Sequence, residues 1–152
     1  MVQATPFLLV LFLALGAPSL AAKKCYLTGR WVNDLGSTMT IKILNANGDF
    51  SGIYNTSVSA TTKEIIPSPL LGSQHPPNRW NQSTFGFTIH WSFSDSITVF
   101  TGQCFVNDDG KEILKTMWLL RSCVDKIQDD WKAILVGYNE FEHLESRMDG
   151  GW

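Results

Sequence analysis

Asn139 stands within the apolar run Trp131–Phe141, and Tyr54 within the alternating run Phe50–Thr56. If such side chains face inward, their polar groups need partners, because a buried amide or hydroxyl left unpaired costs about 1–3 kcal/mol. Inward polar groups among large aromatics suit the recognition of a polar molecule inside an apolar cage. The chain has the material for that cage: nine Phe, six Trp and three Tyr in 152 residues. Nucleophilic chemistry has less support. Serines, acids and three histidines (His75, His90, His143) are present. However, no strand-turn-helix nucleophile elbow occurs, and no histidine has an evident carboxylate partner. The histidines are scattered, and Cys25, Cys104 and Cys123 lack zinc-site spacing, so no metal centre is expected. The reading is a binding protein and not an enzyme.

The elements that must hold these residues are short strands. Gly29–Asp34, Met39–Leu44, Phe50–Thr56, Ile65–Leu71, Phe85–Phe93, Ile97–Phe105, Glu112–Arg121 and Trp131–Phe141 are separated by turn signals. The strongest turns are Asn45-Ala46-Asn47-Gly48 and Asn107-Asp108-Asp109-Gly110. Pro67 and Pro69 restrict the fourth strand to edge or irregular pairing, and Gln74–Gln82 is the longest loop. No helical segment is expected after Phe141, and the tail 142–152 reads as mobile. Eight strands with no room for crossover helices predict an all-β fold, an eight-stranded antiparallel up-and-down barrel.

Apolar residues make up 44% of the chain and charged residues 17%, which excludes a disordered protein. A formal charge of −2 supplies no basic field for nucleic acid or acidic lipid, so neither nucleic acid nor membrane is an expected partner. The apolar run Phe7–Ala17 is too short to span a bilayer, and Ser19 and Ala21 are small residues suited to signal peptidase. Residues 1–21 therefore read as a secretory signal and 22–152 as one secreted, extracellular domain. In an oxidising compartment one pair among the three cysteines is expected to be bonded, and counting does not say which.

Two strands are apolar on both faces. Met117 and Leu119 alternate with Trp118 and Leu120, and Ile134, Val136 and Tyr138 alternate with Leu135, Gly137 and Asn139. A lone antiparallel barrel should turn a polar face outward, so a second copy of the chain is expected to cover this one.

Several blocks resemble the avidin family. They are Lys24-Cys25, Leu27–Trp31, Asn33–Ser37, Met39–Ile41, Thr84–Thr88, Val99–Phe105, Lys115–Arg121 and Asp130–Ala133, in register from Lys24 to about Asn139. The resemblance implies a homotetramer of eight-stranded barrels that binds biotin without a cofactor. It places Asn33, Ser37 and Tyr54 on the ureido oxygen, Thr56 and Asn139 on the ureido N–H groups, and Thr98 on the thioether. Ser94, Ser96, Ser59, Ala60 and Thr61 would meet the valerate carboxylate. Trp91, Phe93, Phe100 and Trp118 would wall the pocket, with Leu35 and Leu120 also in the ligand set. Trp131 would close the pocket of a neighbouring subunit. It also implies a Cys25–Cys104 disulfide; Cys123, which stands in place of a Ser, is left either as a free thiol or as a crosslink to another subunit.

The chain departs from the family pattern in places. Ser59 replaces Thr, Leu135 replaces Arg, Tyr138 replaces Ile, and Thr38 removes an early glycosylation site. New sequons appear at Asn55 and Asn81. The acidic balance means that nothing owed to positive charge carries over. The competing reading is a lipocalin-like carrier of another small apolar ligand, since Gly29-Arg30-Trp31 is also the G-x-W with which lipocalins open.

Overall fold

The computed structural model describes residues 25–76 and 82–149. The expected signal segment, Asn81 and the last three residues lie outside them. Eight antiparallel strands close into a barrel in sequence order. They are β1 (Gly29–Asn33), β2 (Thr38–Ile43), β3 (Asp49–Asn55), β4 (Ser68–Gln74), β5 (Thr84–His90), β6 (Ile97–Val106), β7 (Glu112–Arg121) and β8 (Ile134–His143). Closure comes from β1 against β8, with Trp31 opposite His143 and Asn33 opposite Phe141.

Alternation explains the layers. In β6, Thr98, Phe100 and Cys104 are buried while Val99 points out. Trp31, Met39, Ile41, Phe50, Leu70, Ile89, Leu114 and Phe141 fill the interior. The two strong turns form as their residues dictate, with Gly48 and Gly110 at positive φ. Asn45 Oδ1 and Asn107 Oδ1 accept main-chain N–H groups within their own turns.

Most strand ends depart from the expected boundaries by one to three residues, and four departures are instructive. β4 begins at Ser68 and not Ile65; Pro69 lies within it opposite Ile53, and the strand pairs with both β3 and β5 instead of being confined to an edge. β5 ends at His90, and Trp91 and Phe93 lie in the following connection. Ile127–Lys132 is a 3-10 segment, so Trp131 precedes the last strand instead of opening it. Ala133 N donates to Asp130 O there, and Lys132 pairs with Asp129 at 3.2 Å. After β8 a short helix α1 (Leu144–Asp149) forms where none was expected. Arg147 Nη1 donates from it to Asn33 O at 3.1 Å.

Cys25 and Cys104 are disulfide-bonded, tying the segment before β1 to β6. Cys123 is a free, exposed thiol.

Candidate functional site

One end of the barrel opens into a cavity of about 340 Å³, within the range that holds a small organic ligand. Its floor is set by the turn after β1. Asn33 Oδ1 accepts from Leu35 N at 3.0 Å and Ser37 N at 2.9 Å, and Gly36 takes the positive φ that the tight turn requires. With its oxygen so occupied, the Asn33 amide directs Nδ2 toward Tyr54 Oη, 3.3 Å away on β3. The Tyr54 oxygen accepts there, which leaves its own proton to donate. Burial, the largest influence, pushes the Tyr54 hydroxyl well above the ordinary tyrosine range, while the Ser37 and Asn33 side chains pull the other way. Tyr54 is therefore a neutral donor.

That shift has a consequence for stability. An unfolded tyrosine gives up its proton near pH 10, whereas folded Tyr54 keeps its own. Its contribution is full below the unfolded value and lost as pH rises above it. Tyr54→Phe is expected to lose stability less steeply than the parent between about pH 9 and 11, as measured by urea melts. Parallel pH profiles would show that Tyr54 ionises as freely folded as unfolded.

The opposite polar wall comes from β8. Asn139 Oδ1 accepts from Trp118 Nε1 at 2.8 Å, and its Nδ2 donates to Asp34 Oδ1 at 2.9 Å. A carboxylate accepts only, so Asp34 fixes which way this amide points. One Oδ1 lone pair remains available. Thr56 Oγ1 is oriented similarly, donating to Val58 O at 2.7 Å and accepting from Val58 N at 3.2 Å. Thr98 Oγ1 accepts from Trp91 Nε1 at 2.8 Å, which leaves the Thr98 proton to donate. Ser94 and Ser96 share a hydroxyl contact at the rim.

Aromatic rings form the sides. Tyr54 meets Trp91 edge-on at 5.7 Å and tilts against Phe100 at 5.8 Å. Trp118 crosses β8 at Gly137, where an added Cβ would come within 2.2 Å of its ring. That glycine is required by close approach.

All but one of the expected ligand-set residues line this cavity. Leu35, Ser59, Ala60, Thr61, Phe93 and Leu120 join those already placed. Trp131 does not: its side chain is 83% exposed on the outside. The sequence reading missed Val58, Ser122 and Leu135, which also line the cavity. It missed Asp34 and Ser57 behind the lining too. Val58 could have been inferred from its place between Thr56 and Ser59, whereas Asp34 and Ser57 act across strands. The lining carries no charged side chain and no histidine. Among the described residues no group of three or more His, Cys, Asp or Glu is placed to hold a metal ion. The arrangement offers several neutral donors at one end, two oriented acceptors beside them, and apolar walls.

The avidin family model matches residues 21–144. The chain is 57% identical to avidin of Gallus gallus over 152 residues, covering 98% of this chain and all of that protein. It is 61% identical to avidin-related protein 4/5 of Gallus gallus over 137 residues, covering 90% of each. Among solved structures, a biotin binding protein from chicken superposes with a TM-score of 0.78 at 54% identity, covering 80% of this chain and all of that one. Xenavidin gives 0.76 at 54% identity with the same coverage. A match over most of the chain, in sequence and in overall structure, leaves one assignment: this chain belongs to the avidin family.

Proposed function

We propose that this chain is a secreted, non-enzymatic protein that binds biotin. The observation that carries the reading is the uncharged cavity whose one polar end combines neutral donors with two oriented acceptors. A ureido group has that pattern in reverse: a carbonyl oxygen flanked by two N–H groups. Asn33 Nδ2, Ser37 Oγ and Tyr54 Oη donate to the oxygen, while Thr56 Oγ1 and Asn139 Oδ1 accept from the N–H groups. Thr98 faces the thioether, and the apolar walls take the bicyclic ring. The valerate carboxylate reaches the rim hydroxyls of Ser59, Thr61, Ser94 and Ser96. The 54% identity to a structure described as a biotin binding protein from chicken supports the same ligand.

The remaining parts of the reading follow from the residues. Residues 1–21 are a signal peptide, consistent with the disulfide of the domain. Asn55, exposed at the end of β3, and Asn81 carry glycans. The chain assembles as a homotetramer, supported by a broad exposed apolar face that includes Val99, Met117, Leu119, Val136 and Tyr138. Trp131 covers the cavity of a neighbouring copy.

Titration with biotin tests the function. Occupancy at about a thousand times Kd stabilises by roughly 4 kcal/mol, so the melting temperature is expected to rise by about 10 °C or more. Fluorescence of Trp91 and Trp118 should change with saturation. A melting curve that ignores excess biotin would end this reading.

A further inference from the structure

We infer that Ser57 is a positioning residue for the polar end of this site, holding the Ser37 hydroxyl as a donor; the inference rests on the biotin reading above. Ser57 lies outside the cavity lining, just beyond β3, yet makes three bonds to the turn after β1. Its N–H donates to Ser37 Oγ at 2.9 Å. Its own hydroxyl donates to Leu35 O at 2.7 Å. The two serine oxygens are 3.1 Å apart.

Proton counting assigns the roles. A serine hydroxyl has a single proton, and that of Ser57 is committed to Leu35 O. In the contact between the serines Ser57 Oγ therefore accepts and Ser37 donates. Ser37 is 1% exposed, so its oxygen is held by one N–H while its proton has a partner. A hydroxyl turns about its Cβ–Oγ bond with the oxygen still. Ser37 can thus pass its proton to a ligand oxygen without moving a heavy atom, which is how preorganisation lowers the cost of binding. The N–H bond also polarises the hydroxyl, strengthening it as a donor. Ser57 Oγ keeps that N–H in place by strapping residue 57 to Leu35. Ser57 supplies the main-chain donor to Ser37 Oγ, while the Tyr54 hydroxyl meets the same side chain from within the cavity.

Ser57 is also the third residue of the Asn55 sequon, so loss of a glycan must be kept apart from loss of the strap. The full chain is therefore compared within an Asn55→Gln background, and release of labelled biotin is followed after adding excess unlabelled biotin. Loss of one such hydrogen bond is worth up to about tenfold. Ser57→Ala is expected to release biotin about tenfold faster, while Ser57→Thr, which retains the hydroxyl, releases it within about twofold of the background protein. Adding Ser57→Ala to Ser37→Ala should change nothing further, because the effect runs through Ser37. Unchanged release by Ser57→Ala overturns the assignment. So does acceleration that persists undiminished when Ser37 is already alanine, or that threonine fails to rescue. Failure of the background protein itself to bind biotin would instead defeat the ligand reading, and this inference with it.

Discussion

Trp131→Lys is expected to leave the barrel folded, weaken biotin binding by two to three orders of magnitude, and shift tetramer toward dimer. The first part follows from position. Trp131 sits in the 3-10 segment Ile127–Lys132, 83% exposed and away from its own cavity. A lysine there meets solvent within its own barrel, so far-UV circular dichroism should not change. The second part follows from the proposed assembly. An indole buries roughly 150–250 Å², and truncating such an anchor costs about 3–5 kcal/mol. Centrally placed tryptophans often dominate interfaces, so ligand and assembly should suffer together. Light scattering after size exclusion, beside a biotin titration, measures both. A folded variant that stays tetrameric and binds as the parent does would show that no neighbour uses this ring. An unfolded variant would show that the ring packs within its own barrel.

Replacing both bonded cysteines, as Cys25→Ala with Cys104→Ala, is expected to cost about 4 kcal/mol. The two lie 79 residues apart in sequence and are fully buried. Closing so long a loop removes much freedom from the unfolded chain, and alanine leaves a small void besides. The main-chain oxygen of Cys25 also accepts from Gln74 Nε2 at 3.0 Å, so loosening the N-terminal segment disturbs β4. The melting temperature should fall by roughly 10–15 °C in calorimetry. A fall of only a degree or two would mean that packing alone holds this segment. Non-reducing mass analysis should meanwhile find Cys123 unpaired in the parent.

The barrel was legible because each strand alternates with a period of two and its ends carry turn residues. Thr98 and Phe100 turn inward as that period requires. Ile127–Lys132 was harder to read, since Trp131-Lys132-Ala133 alternates as a strand would and runs straight into the apolar Ile134-Leu135-Val136. Its conformation is set by local bonds such as Ala133 N to Asp130 O, not by the hydrophobic pattern. Most of the cavity lining coincides with residues that the family resemblance names, Val58, Ser122 and Leu135 excepted, whereas the groups behind it were not named. Asp34 reaches Asn139 across 105 residues of sequence, and Ser57 reaches Leu35 across 22. Such partners become neighbours only through register, which a linear reading does not contain. The exposure of Tyr138, at 78%, was legible as an apolar outer face.

The pairing of β1 with β8 has a consequence in time. These strands stand at opposite ends of the domain, and their register runs only from Trp31 opposite His143 to Asn33 opposite Phe141. Neighbours elsewhere in the barrel are joined by local connections, so this pairing carries the greatest chain-closure cost and is expected to fall late in folding. Asn33 and Asn139 belong to the two strands that meet there, and Asp34 links them by accepting from the Asn139 amide. A nascent chain with seven strands paired therefore still lacks one of its two polar walls. Competence to hold a ligand arrives in a single late event, when the last strand finds the first.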